Sequence, residues 1–349
     1  MTLVEDARAD EAACGDADPA RGQGGFARLR LLSCVGVDLE LALLPHFLEH
    51  YLSLGIDPAK IALIFNTADA ASPALEEADR MLAERGIAPA RRWIAPYTSE
   101  AMWAQRRALQ AELAEPGDWI VNADVDEMHV YPAPLPEIVA ELEAEGLNCV
   151  QGVMIDRLAP GGALAAVEAD RPLAEQFPVR ADVALSIIGT GENHGVAGTT
   201  KLMLHSHDVL PKRGGHTVHN PAAERYAAGT RLSVFPGASD PAWRADFPFQ
   251  VDHYKWTATL RGSLERRLKT KGVSVAGREY GSKIDRYLSA HGRIRLEDAC
   301  VLDEAPREET DWRGQLAAMR RSAPYWKVRN AVRHKVLFLR SVAGRALGR

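Results

Sequence analysis

Cysteine is scarce in this chain: four in 349 residues, Cys14, Cys34, Cys149 and Cys300, with no C-x-x-C spacing. That excludes a disulfide framework or a thiolate zinc ribbon and leaves small buried hydrophobes or free thiols of a reducing compartment. Long apolar runs are missing as well, none approaching the ~18–20 residues a transmembrane helix needs. A soluble, cytoplasmic body is the expectation. Basic charge is not in excess, since 42 Lys and Arg against 47 Asp and Glu leave a net −5. No stripe of aromatic and basic residues offers a stacking platform, so nucleic acid is set aside as a partner. No internal repeat is present either. What remains is ordinary globular composition, 46% apolar and 26% charged, ample for a buried core and naturally read as one α/β domain with extensions.

Both ends differ from this body. The first 25 residues are acidic, rich in small side chains and without an apolar core; they read as disordered, neither a signal peptide nor a membrane anchor. Residues 325–349 carry Lys327, Arg329, Arg333, Lys335, Arg340, Arg345 and Arg349 with no acidic residue, while Val328, Val332, Val336 and Leu339 keep helical spacing. That is a basic amphipathic helix. Its apolar stripe either packs on the body or attaches the protein peripherally to an anionic membrane surface, which for a cytoplasmic protein is the inner face.

Between the ends, short apolar runs alternate with helical patterns. LRLLSCVG (29–36) reads as a strand. The helix after it has Pro45 in its first turn, Gly55 as a stop, and Leu44, Leu48, Tyr51 and Leu52 as its buried stripe. KIALIFNTAD follows as a second strand, giving a βαβ unit. A helix over about 74–85, a strand near Arg92–Ala95 and a helix over Ser99–Ala114 lead to the most informative stretch, DWIVNADVDEMHVYP (118–132). Here an apolar strand runs into Asp124, Asp126 and Glu127. In an extended segment residues i and i+2 face the same side, so Asp124 and Asp126 are expected to aim at one point. Two like charges so placed need a cation, and Mg²⁺ or Mn²⁺ suits oxygen ligands and recruits substrate phosphates. The plainer reading of a bare D-x-D is a solvated acidic turn. Ligands of open α/β sheets bind outside the carboxyl ends of strands, so Ser33, Asn66 and the acidic cluster should converge on one crevice.

The order of LLSCVG, LLPHFLEHYLSLGID, IALIFNTAD and DWIVNADVDEMH, continuing through VQGVMIDRLAPGG, FPV, KLMLH, GGHTVH and VDHYKW, resembles the glycosyltransferase family 2-like group related to family 92. The resemblance spans about residues 28–270. Two departures stand out: the first strand of such proteins often ends Asn-Glu, here Ser33-Cys34-Val35-Gly36, and Met128-His129 follows the D-x-D-E run in place of an aromatic and an aliphatic residue. The resemblance implies a GT-A, Rossmann-type α/β fold with a mixed, mainly parallel central sheet and C-terminal helices. The chain is expected to divide into the acidic segment 1–25, a GT-A catalytic domain over 26–295, and a helical extension with the basic amphipathic tail over 296–349. The resemblance also implies that His216 in GGHTV and His253 in VDHYKW line the donor site, with His253 the third metal ligand beside Asp124 and Asp126. A ligating imidazole would release the metal as pH falls through ~6.5.

Further residues fill out the expected site. Asp156, at the end of the strand in LNCVQGVMIDRL, is the candidate general base for an acceptor hydroxyl, a structural pair with Arg157 being the alternative. Lys201, Lys255, Arg157 and Arg213 are the cations expected near a diphosphate, and Ser33, Asn66 and Asp124 are expected on the donor. Six histidines between 194 and 253 also allow a zinc site, but without a thiolate or an H-E-x-x-H frame. The functional expectation is a metal-dependent glycosyltransferase moving a sugar from a nucleotide-diphosphate sugar to a hydroxyl acceptor in glycan or surface-polysaccharide synthesis, with inversion. A metal-dependent phosphoesterase or nucleotidyltransferase, and a non-catalytic nucleotide-sugar-binding protein, remain as alternatives.

Overall fold

The computed structural model describes residues 26–189, 196–270, 273, 275–302 and 310–346. The acidic segment 1–25 lies outside them. β1 (Leu29–Gly36) is buried along almost its whole length, as an unalternating apolar run requires of a strand covered on both faces. In α1 (Leu44–Ser53), Pro45 occupies the first turn and Leu44, Phe47, Leu48 and Tyr51 pack inward, whereas Leu52 is only half-buried. The chain continues as β2 (Ile61–Thr67), α2 (Pro73–Ala83), β3 (Arg91–Ile94), α3 (Ser99–Leu113) and β4 (Trp119–Asn122). β2 pairs parallel with β1 and β3, and β1 pairs parallel with β4. This parallel block is the βαβ succession read from the sequence.

Beyond β4 come β5 (Glu127–Val130), α4 (Leu135–Ala144), β6 (Cys149–Leu158), β7 (Val179–Ala181), β8 (Thr200–Ser206), α5 (Pro241–Asp246), β9 (Gln250–His253), α6 (Leu260–Lys269), α7 (Val275–His291), β10 (Val301–Leu302) and α8 (Trp312–Ala346). Among the described residues the sheet has ten strands, ordered β10-β7-β6-β8-β4-β1-β2-β3 with β9 joining β5 to β6. The architecture is therefore α/β on a mixed sheet whose β3-β2-β1-β4 block is parallel. β8 runs antiparallel to β4 and β6, and β9 lies parallel to β6 but antiparallel to β5. Gly152 permits this crowding, because a Cβ there would stand 2.1 Å from Met203 Sδ and 2.7 Å from the Phe249 carbonyl.

One large apolar core runs from Leu29 in β1 to Ala323 in α8, and a second joins Leu158 and Trp256 to Leu264, Ile284 and Leu288 on α6 and α7. The first half of α8 thus belongs to the body's core. A buried cation ties the loops behind the sheet. Arg244 on α5 donates to the Met154 and Ala238 carbonyls and to Thr199, and lies 2.6 Å from Asp182. Cys34, Cys149 and Cys300 are free thiols, the first two buried.

Candidate functional site

Asp124 and Asp126 do not sit on a strand; of the acidic run only Glu127 does, as the first residue of β5. β4 ends at Asn122, and residues 124–127 form a turn closed by the Glu127 amide donating to the Asp124 carbonyl at 3.0 Å. The same-side argument for Asp124 and Asp126 holds only for extended backbone, so the expectation that both carboxylates aim at one point is corrected. Both oxygens of Asp124 are held by the protein, although 33% of its side chain stays exposed. Arg106 of α3 donates to its Oδ1 at 2.6 Å and Lys201 of β8 to its Oδ2 at 2.8 Å. Lys201 also donates to Glu127 Oε1 at 2.9 Å, and Glu127 Oε2 accepts from the Asp124 amide at 2.9 Å. Arg106 further donates to the Leu32 carbonyl and to Asn122, and its guanidinium lies 4.4 Å from the Trp103 ring. Burial works against the charge on Asp124, but Lys201 and Arg106 outweigh it and hold the carboxyl well below the usual range. Glu127, more enclosed, is pushed by burial up to about 7 despite Lys201.

Asp126 instead meets His253. β9 lies between β5 and β6, so its last residue has Glu127 as register partner on one side and Asp156 on the other. His253 Nδ1 donates to Asp156 Oδ1 at 2.9 Å, and its Nε2 faces Asp126 Oδ2 at 3.5 Å. Asp156 Oδ2 accepts from the amides of Val183 and Ala184. Burial opposes the imidazolium, but the carboxylates of Asp126 and Asp156 outweigh it and raise the His253 pKa to about 9. Asp126 keeps 24% of its side chain exposed and Asp156 only 4%. Asp126 is therefore partly exposed with only His253 on its carboxylate, whereas the comparably exposed Asp124 is taken up by Arg106 and Lys201 and Asp156 lies behind the histidine.

Three further groups lie near Asp126 and His253: Lys255, expected from the sequence among the cations, and Glu40 and Arg266, which gave little sequence signal. Glu40, four residues past the end of β1, accepts from the Gly36 amide at 2.6 Å, and burial together with the charge of Asp126 lifts its pKa to about 7. Lys255 donates to the Tyr280 hydroxyl at 2.9 Å and sits 4.2 Å from that ring; burial and the nearby Arg267 lower its pKa to about 7. Arg266 of α6 stands 5.5 Å from the Tyr97 ring and contributes its charge to Glu40. Arg106 did have a signal. It occupies a position of the buried stripe Met102, Trp103, Arg106, Leu109 of α3, and a charge on an apolar helical stripe must have a buried partner.

Other expected donor contacts are placed differently. Ser33 is buried within β1, which runs on to Gly36, and its hydroxyl donates to the Ala123 carbonyl at 2.7 Å. Asn66 is buried and its Nδ2 is spent on the Trp93 and Ala95 carbonyls. Lys201 is buried beneath the acidic turn and committed to Asp124 and Glu127, so it is an internal counter-ion. Asp156, expected as a base, has both oxygens engaged and positions His253. His216 is half-buried with Nδ1 donating to the Thr200 carbonyl at 2.7 Å. It follows Gly215, whose φ of +68° and closeness to Lys201, Trp103 and Asn122 leave no room for a side chain. Arg213 is exposed and pairs with Glu100.

Among the described residues, no group of three or more His, Cys, Asp or Glu is arranged to hold a metal ion by itself. The trio Asp124, Asp126 and His253 is thus not assembled, because Asp124 is already neutralised. Asp126 and His253 do fit two positions of a Mg²⁺ or Mn²⁺ shell. Their facing donor atoms are 3.5 Å apart, within reach of one ion at bonds of ~2.1 Å. The carboxylate behind the imidazole is the usual orienting partner of a ligating histidine. Such ions are commonly bound by one or two side chains plus substrate phosphates.

No family model matches the chain, and no curated protein matches it in sequence. Among solved structures it is similar to S. aureus TarS 1-349, at 8% identity over 76% of this chain and 72% of that one, with a TM-score of 0.31. It is also similar to a second crystal structure of S. aureus TarS, at 8% identity over 75% of this chain and 44% of that one, with a TM-score of 0.28. Likeness at this level carries no argument about the site, which rests on its own geometry.

Proposed function

We propose that the chain is a metal-dependent glycosyltransferase, taking a nucleotide-diphosphate sugar as donor and a hydroxyl of a glycan or related acceptor. The observation that carries this reading is the Asp126–His253–Asp156 array in the crevice beyond the carboxyl end of β4, supported by the sequence resemblance to the family 2-like group. In open α/β sheets that crevice is where a nucleotide ligand sits. Asp126 and His253 would hold Mg²⁺ or Mn²⁺, which when bound neutralises the diphosphate as it leaves. Asp156 keeps the imidazole in the orientation that offers Nε2 to the crevice. Arg266, and Lys255 in its protonated form, would add positive charge where negative charge accumulates on the leaving group. Arg106 and Lys201 fix Asp124, and with it the turn that presents Asp126. The resemblance implies inversion at the sugar carbon.

The test is product analysis with a panel of UDP-, GDP-, CMP- and dTDP-sugars, Mn²⁺ and an added sugar acceptor. Transfer of the sugar with release of intact nucleoside diphosphate is expected from the diphosphate donors. Release of nucleoside monophosphate or inorganic phosphate would assign phosphorus chemistry to the same residues and contradict the reading.

A further inference from the structure

α8 changes the side on which it is apolar. From Trp312 to Ala323 its inward face is Trp312, Leu316, Met319 and Ala323, all buried in the main core. Arg313 pairs with Glu137 and Glu141 of α4, and Arg320 donates to the Ala227 carbonyl at 3.0 Å, so this half is fastened to the body. Past Pro324 the helix continues to Ala346, but Tyr325, Val328 and Val332 are 59%, 66% and 56% exposed. At about 100° per residue these three lie roughly half a turn around the axis from the buried stripe. The same spacing extends in sequence through Val336 and Leu339. The described part of this stripe, Tyr325, Val328 and Val332, therefore faces away from the body, and Val328 and Val332 are among the most exposed large apolar residues described.

Charge singles out what can cover this stripe. Residues 325–349 carry seven Lys or Arg and no Asp or Glu in a chain of net charge −5. Lys327, Arg329 and Lys335 are exposed, and Arg329 lies over the Trp326 ring at 5.2 Å. Two copies pairing through this face would bring the two all-basic segments together, which disfavours self-association. An aromatic and aliphatic stripe flanked by long cationic side chains matches the boundary between acyl chains and anionic headgroups. We propose that the helix over 325–346 docks in the plane of an anionic lipid bilayer, with Tyr325, Val328 and Val332 entering the acyl boundary and the flanking Lys and Arg on the headgroups. Among the described residues no helix is long and apolar enough to cross a membrane, so the contact is peripheral. It does not depend on the reading of the crevice.

Co-sedimentation of the full chain with phosphatidylglycerol–phosphatidylcholine vesicles, and with phosphatidylcholine alone, tests it at low and high salt. Binding is expected to the anionic vesicles only, weakening at least tenfold at high salt through screening. Two full-chain double variants separate the contributions. Val328→Ser with Val332→Ser removes apolar surface at constant charge, and Lys327→Gln with Arg329→Gln removes charge at constant apolar surface. All four positions are exposed, so melting temperatures should match wild type, and each pair should weaken vesicle binding at least tenfold. Failure to sediment with anionic vesicles at low salt would overturn the proposal. So would serine variants that bind as well as wild type, or a wild-type dimer in sedimentation velocity that those variants dissolve.

Discussion

At Asp124 the charge is balanced from within the protein, and this sets the division of labour in the acidic turn. Arg106 and Lys201 are costly to bury and are retained only because Asp124, Glu127 and backbone carbonyls satisfy them. Replacing Lys201 by Met leaves Glu127 without its cation in a closed site, and a loss of about 3–5 kcal/mol in urea unfolding at neutral pH is expected. A loss under 1 kcal/mol would show that the pair is not structural. His253 gives a pH signature. Its pKa in the folded, metal-free protein is raised to about 9 from an ordinary value of about 6.5. A raised pKa contributes stability fully below the unfolded value and loses it as pH rises through the folded one. Metal-free wild type should therefore lose its advantage over His253→Gln, on the order of 3 kcal/mol, between about pH 6.5 and 9. Urea melts across that range check it, and a gap that widens with pH would contradict the assignment. A metal ligated by His253, as proposed, would have to displace the same proton, so the pH below which its binding weakens would move up from ~6.5 toward about 9.

At the scale of elements, legibility followed apolar continuity. β1, β2, β4 and β6 are unbroken buried runs, and α1, α2 and α3 carry clear stripes with Pro or polar starts, so their existence and order could be read. β5 and β9 could not. Each is four residues long, EMHV and QVDH, too short and too rich in charged and polar side chains to read as a strand, and they pair only because β9 returns from more than a hundred residues away. Those two strands decide the site, since they break the extended geometry expected for Asp124 and Asp126 and bring Asp156 against His253. Ser33 and Asn66 were misplaced for a related reason: a polar residue in a buried strand can be satisfied by neighbouring backbone without reaching a ligand. For α8, Leu316 is 2% exposed within the main core. Leu316→Ala should cost about 2–4 kcal/mol in denaturant unfolding, and a cost below 1 kcal/mol would contradict the docking of this half on the body.

On the scale of the whole molecule, the sheet's mixed character follows from its function as a frame. The parallel block supplies strand ends that open on a crevice, and the antiparallel strands bring in the distant residues that block cannot reach. Lys201 arrives on β8, His253 on β9 and Lys255 just beyond it, all from the second half of the chain. What converges is a partly exposed Asp126 on a largely buried His253, beside the charge-balanced group of Asp124, Arg106, Lys201 and Glu127. The most direct test is calorimetric titration of UDP and GDP, with and without Mn²⁺, into wild type and Asp126→Asn. Asp126 is partly exposed, and no described contact besides His253 depends on its carboxylate, so the variant should keep its melting temperature within a few degrees. The account predicts Mn²⁺-dependent nucleotide binding by wild type, weakened at least a hundredfold in the variant. Equal affinity and equal Mn²⁺ dependence in the two proteins would contradict it.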